Sequence, residues 1–168
     1  MNVFKGINGM NLVGQGGKII IFILPFVAAA IALQHFFPEW VSLPKDQPVL
    51  KYIGYVLFVP GILLWFTGLI QLLKDFPKGK LITTGAYAVC RNPVYSSFIL
   101  FILPGISFTK LTWLYFMVAL AMYFSVRIFI GKEESKLKET FGKEYEAYLG
   151  SVCRVLPFIR PNRKNINK

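Results

Sequence analysis

One histidine, two cysteines and eight acidic residues among 168 are too few, and too scattered, for most site chemistry that depends on clustered ligands. A metal centre draws on grouped His, Cys, Asp and Glu, and no such grouping occurs. His35, beside Phe36 and Phe37 near a predicted helix end, reads as an interfacial side chain. Cys90 and Cys153 each precede an arginine, which can lower a thiol pKa. Neither has a histidine near it in sequence, so small packing residues are the simpler assignment. Strand-borne dinucleotide fingerprints are missing as well: Gly6, Gly9, Gly14, Gly16 and Gly17 follow no strand and have the wrong spacing. Residues 1–17 are instead expected to be a polar, flexible segment. No repeat of 20 to 50 residues is visible.

Charge is also scarce, at 16% of residues, while 55% are hydrophobic, above the usual share for a soluble domain. Ile19 to Phe37 and Ile53 to Leu73 run for nineteen and twenty-one residues without an acidic or basic side chain, His35 taken as neutral. Each can cross about 30 Å of hydrocarbon. The first is longer than the core of a secretory signal and no small-x-small cleavage site follows it, so it is expected to be retained. Val94 to Phe108 is shorter and carries Pro104-Gly105, which predicts a short or bent span. Leu111 to Ile130 is apolar apart from Arg127 and a few small polar groups, and only Thr109-Lys110 separates it from the third run. An ionisable residue inside a span is a functional candidate, facing a cavity, a headgroup or a glutamate.

A net charge of +11 in a soluble protein would point to nucleic acid. Four spans redistribute that charge: fifteen basic residues fall on one side and three, Lys45, Lys51 and Lys110, on the other. The positive-inside rule then places both termini in the cytoplasm, with no nucleic acid as partner. Both cysteines fall on this reducing side, so no disulfide is expected. The terminal residues 159–168 read as a basic tail near anionic lipid.

After Gly131 the pattern changes. Leu137, Phe141, Tyr145, Tyr148 and Leu149 recur at helical spacing, with Glu134–Lys138 and Glu139–Lys143 as expected i,i+4 pairs on the outer face. Gly142 is expected to split the segment into two helices and Gly150 to stop it. Such a piece lies on the membrane or folds over the cytoplasmic mouth of the bundle.

The stretch "CRNPVYSS", Cys90 to Ser97, places polar groups where the third span begins. Asn92 suits an N-cap and Pro93 the first helical position. Unpaired amides beside Arg91 favour an anion, with Tyr95, Ser96 and Ser97 in the first turn. The fourth span ends at the same face and presents Glu133 and Glu134, which the helix dipole disfavours there. A ligand with a carboxylate and an ammonium group or ribose hydroxyls would find partners in both. The plainer alternative makes Arg91 a positive-inside anchor and the glutamates a solvated start to an amphipathic helix.

"GAYAVCRNPVYSS", the apolar hairpin, then "EESKLKETFGKEYEAYLGSVCRVLP" resembles the isoprenylcysteine carboxyl methyltransferase and phospholipid methyltransferase families of integral membrane enzymes. Their pattern is Arg-His-Pro-x-Tyr-x-Gly, a hydrophobic stretch, Glu-Glu, then Phe-Gly-x-Glu-Tyr-x-x-Tyr and Arg-x-x-Pro. The likeness spans Gly85 to Pro157; the first two spans share only hydrophobicity. It implies S-adenosylmethionine as cofactor at the cytoplasmic end, held by Arg91, Asn92, Pro93, Tyr95, Glu133 and Glu134. Glu144, Tyr148 and Arg154 are implied in the segment that closes the site; packing and surface charge are the alternative for these three. Asn92 replaces the family histidine and cannot titrate near neutral pH; Ser97 replaces a glycine.

The expectation is thus an all-α polytopic bundle of about four transmembrane helices, spanning 19–131, with a helical closing segment over 132–158. Its expected activity is methyl transfer to a lipid-like acceptor entering from the bilayer. A prenylcysteine carboxylate is favoured, with Arg154 as the cation that holds it. An amine headgroup is the alternative, needing Glu144 or Tyr148 to take a proton. A nicotinamide-dependent membrane reductase and a non-enzymatic scaffold are the remaining classes.

Overall fold

The structure, a computed structural model, describes residues 16–156; expectations for residues 1–15 and for the basic tail lie outside them. Among the described residues the protein is helical, with no strand beyond an isolated bridge between Ser42 and Thr112. Its helices are α1 (Gly16–Phe36), α2 (Pro38–Val41), α3 (Pro48–Asp75, continued by a 3₁₀ turn over Phe76–Lys78) and α4 (Ala86–Val89). They are followed by α5 (Pro93–Thr109), α6 (Leu114–Phe129), α7 (Gly131–Phe141) and α8 (Lys143–Ser151). Gly16 and Gly17, expected in a flexible segment, form the first turn of α1.

Two helices, Gly16–Phe36 and Pro48–Lys78, are long and apolar enough to cross a membrane, and α6 with α7 forms a third candidate bent by 42°. Ile21, Val56 and Leu63 of α1 and α3 are at least 60% exposed. In water such faces would aggregate; in a bilayer they face lipid. The protein is an integral membrane protein.

α3 packs along α5, α5 against α6, and α6 against α1. Gly54, Gly61 and Gly68 are buried on α3 at intervals of seven residues, close to two helical turns each. A Cβ on Gly54 would lie 2.8 Å from the Gly105 carbonyl oxygen, and one on Gly61 would lie 2.8 Å from Phe101 Cβ. Only glycine lets these backbones approach so closely. Within α5, Leu103 N–H reaches back five residues to Phe98 O, a π turn immediately ahead of Pro104. The wider turn accommodates a residue that has no N–H to donate.

At the end of the bundle opposite the site, the two loops are tied together. Leu43 N–H donates to Leu111 O at 2.8 Å, and Thr112 Oγ1 donates to Val41 O at 2.8 Å. α6 therefore begins at Leu114 and not at the expected Leu111, which adopts a positive φ of 51° in the connecting turn.

Gly142, at φ 51°, ends α7 and turns the chain into α8. Neither expected i,i+4 pair describes this region. Glu134 turns to Arg91 and Arg154, Lys138 pairs with Glu146 at 2.9 Å, and the break at Gly142 separates Glu139 from Lys143.

Candidate functional site

Gly68 is where α3 passes the start of α5, since a Cβ there would stand 3.0 Å from Pro93 Cγ. The seven residues from Gly68 to Asp75 carry α3 about 10 Å further along its axis. Leu69, Leu72 and Phe76 thereby form one wall of a cavity beyond the N-terminus of α5. Lys80, Leu81 and Ile82 follow on the connecting loop. Arg91, Asn92, Pro93 and Tyr95 supply the floor, and Glu133, Glu134, Leu137 and Phe141 the opposite wall. The lining combines charged and apolar side chains.

Loop geometry holds the floor in place. Gln71 of α3 accepts from Ala86 N–H at 2.9 Å and donates to Thr84 O at 3.2 Å. Gly85 lies between them at φ 59°, where any Cβ would meet the Gln71 amide at 2.1 Å. Gln71 belongs to no motif in the sequence, and Gly85 there marks only where the family-like stretch begins. The clue available was the Thr-Thr-Gly turn before a short helix.

The start of α5 is capped differently from expectation. Asn92 makes no side-chain cap to its own helix. Its Nδ2 donates to Arg154 O at 3.1 Å, while the backbone N–H groups of Arg91 and Asn92 donate to Cys153 O at 2.8 Å and Arg154 O at 3.2 Å. Ser96 Oγ donates to Val155 O at 2.8 Å. The C-terminal segment thus takes up the amides of Arg91 and Asn92, just ahead of the helix. Ser97, standing where the resembled pattern has glycine, is fully buried and donates its hydroxyl to Val94 O at 2.6 Å, so its polarity is satisfied within its own helix.

Glu134 lies at the centre of the charges. Arg154 Nε donates to its Oε1 at 3.0 Å and Arg154 Nη2 to its Oε2, while Arg91 Nη1 stands 3.2 Å from Oε1. The Arg91 contact is close but off-line for a hydrogen bond, so Nε and Nη1 of this buried guanidinium have no hydrogen-bond partner. Buried donors without acceptors are costly. They suit a carboxylate delivered into the cavity, whose lining also includes Glu133 and Glu134. The donor set fits S-adenosylmethionine on that ground.

Three tyrosines surround this network. Burial, the largest influence on each, pushes Tyr87, Tyr145 and Tyr148 well above the ordinary phenol range. Tyr148 donates its hydroxyl to Tyr87 O at 2.6 Å. A protonated phenol committed to a carbonyl is a poor general base. Burial likewise raises the Cys90 thiol, in keeping with a packing residue.

Of the residues singled out in the sequence, Arg91, Asn92, Pro93, Tyr95, Glu133, Glu134 and Tyr148 line one cavity. Two do not. Glu144 is exposed on α8, and Arg154 lies outside the lining with its guanidinium turned into Glu134. An acceptor carboxylate on Arg154 would have to share it with a carboxylate already held by two of its nitrogens. Arg127 is exposed, with its guanidinium carbon 6.0 Å from the Tyr123 ring centroid, and therefore faces outward.

Residues 50–144 match the family model described as phospholipid methyltransferase. A "Probable protein-S-isoprenylcysteine O-methyltransferase" of Oryza sativa subsp. indica is 29% identical over 154 residues, covering 79% of this chain and 75% of its own. "Protein-S-isoprenylcysteine O-methyltransferase B" of Arabidopsis thaliana is 31% identical over 154 residues, covering 79% of this chain and 73% of its own. No solved structure matches. The chain belongs to the phospholipid methyltransferase family and is a membrane methyltransferase; the reductase and scaffold alternatives fall away.

Proposed function

We propose that this membrane methyltransferase uses S-adenosylmethionine to methylate a carboxylate of the prenylcysteine type, at the cavity between α3, α5 and α7. One observation carries the site: Arg91, buried and with its Nε lacking a hydrogen-bond partner, converges with Glu133 and Glu134 on the same cavity. Arg91 would take the donor's carboxylate, and the two glutamates its cationic or hydroxyl groups. Asn92, Pro93 and Tyr95 frame the floor. The apolar wall of Leu69, Leu72 and Phe76 would accommodate the acceptor's lipid chain, entering from the bilayer. Both relatives carry names for prenylcysteine O-methylation, which supports the choice of acceptor.

Such a donor would supply a methyl on cationic sulfur, which a carboxylate oxygen would take without first losing a proton, the neutral thioether leaving. The chain's own residues then need only align the two molecules and exclude water. An amine headgroup, favoured by the family's description, would have to be deprotonated first. The groups considered for that task are badly placed: Tyr148 is bonded to Tyr87 O and Glu144 is exposed away from the lining. Carboxylate chemistry is therefore preferred. Tyr148 is assigned a positioning role through Tyr87, and Arg154 one through Glu134.

The proposed topology has four passes, α1, α3, α5 and α6, with both termini and the site in the cytoplasm because basic residues crowd that side. α5 would be the short pass at about 25 Å for its seventeen residues. α7 and α8, over 132–158 with the chain that follows, would form an amphipathic closing segment against the site.

Calorimetry of purified protein with S-adenosylhomocysteine tests the site. Saturable binding that is lost in Arg91→Ala and Glu133→Ala is expected. Undiminished binding in both variants would rule the site out.

A further inference from the structure

On the basis of the methyl-transfer reading above, we infer that Lys80 is the cation that anchors the acceptor's carboxylate. Two cationic side chains line the cavity, Arg91 and Lys80. Arg91 is committed to the donor side and already stands 3.2 Å from Glu134. Arg154 is spent on Glu134 and does not reach the lining. The carboxylates of Asp75, Glu134 and Glu146 are each held by another cation: Asp75, which also feels the Lys80 charge, pairs with Lys78 at 2.5 Å, Glu134 with Arg91 and Arg154, and Glu146 with Lys138.

Its place in the chain suits the task. Gly79 N–H donates to Phe76 O at 3.1 Å, and Gln71 holds Thr84 and Ala86, so the loop carrying Lys80 is fixed at both ends. The side chain itself is exposed at the cavity rim. Phe76, Leu81 and Ile82, its near neighbours in sequence, are apolar and line the same wall. An acceptor with a carboxylate beside a long apolar chain presents the same alternation. A flexible ammonium at the rim can follow that headgroup while its methylene stem lies along the apolar wall.

The test is binding of amine-blocked S-farnesylcysteine and of its carboxamide to detergent-solubilised full-length protein saturated with S-adenosylhomocysteine. The wild type should prefer the acid by about tenfold, the discrimination of one charge-assisted hydrogen bond. Lys80→Gln should bind acid and amide equally, Lys80→Arg should keep the preference, and affinity for S-adenosylhomocysteine should stay within about twofold in both. If Lys80→Gln keeps the full preference for the acid, the Lys80 assignment is wrong while carboxylate methylation stands. If the wild type itself shows no preference, or binds neither probe, the carboxylate acceptor and the Lys80 assignment fall together.

Discussion

The two halves of α3 meet the same partner, α5, under opposite rules. From Gly54 to Gly61 the contact is tight packing, Gly54 against the Gly105 carbonyl and Gly61 against the Phe101 and Ile102 side chains, with no charged group involved. Past Gly68 the partner helix has ended, and the wall of α3 looks across a cavity at Arg91, Glu133 and Glu134. One half derives its strength from close contact, the other its chemistry from the gap left when close contact stops. The two should therefore fail differently, one by losing stability and the other by losing ligand.

The largest effect is expected at Glu134. Glu134→Ala leaves the Arg91 and Arg154 guanidinium groups without their shared carboxylate. Methyl transfer should fall on the order of 100-fold, about 2.7 kcal/mol, as the two guanidinium groups lose the carboxylate that positions them. Single-turnover assays would check this, and activity within tenfold of wild type would separate Glu134 from the site. On the packed half, Gly54→Ala forces a Cβ against the Gly105 carbonyl oxygen, a backbone atom that cannot step aside. It should cost about 1–3 kcal/mol in detergent unfolding despite alanine's better helix propensity, with affinity for S-adenosylhomocysteine preserved in the folded fraction. Gly68→Ala lies on the border between the halves and presses on Pro93. A loss of roughly fivefold in that affinity, about 1 kcal/mol, is expected there.

Tyr148→Phe sharpens the chemistry. Losing the bond to Tyr87 O should cost about 1 kcal/mol of stability, with kcat reduced less than about tenfold. A fall of about 10²–10⁴ would instead mark Tyr148 as a general base and favour an amine acceptor. Tyr87, Tyr145 and Tyr148 have folded-state pKa values above the unfolded phenol range. The folded state keeps these protons after the unfolded chain begins to lose them. Their contribution to stability is therefore complete below about pH 10 and declines as pH rises beyond it, which the melting temperature between pH 7 and 11 would show. The smallest effect belongs to Arg127→Ala, whose exposed contact with Tyr123 is worth at most about 0.5–1 kcal/mol; methyl transfer should be unchanged.

The apolar runs placed the long helices to within a few residues, because a membrane span depends on length and hydropathy, both properties of the chain alone. Asn92-Pro93 marked the start of α5 and Gly142 the break before α8 for equally local reasons. Local spacing was misleading for Glu134. Lys138 lay four residues away on the same helix, yet two arginines from distant parts of the chain claimed the carboxylate. Nor does the charge of Arg154 by itself show that Glu134, twenty residues away, holds its guanidinium. Heptad spacing of Gly54, Gly61 and Gly68 was legible but carried no meaning without the helix that they face.

Sequence alone determined that this protein lives in a membrane, where its helices begin, and which family its site pattern resembles, since hydropathy, caps and motif order are written residue by residue. Tertiary structure decided which charges cancel one another and which remain for a ligand. That depends on distances between Arg91, Glu134 and Arg154 across as many as 63 positions of chain, and no spacing rule reaches so far.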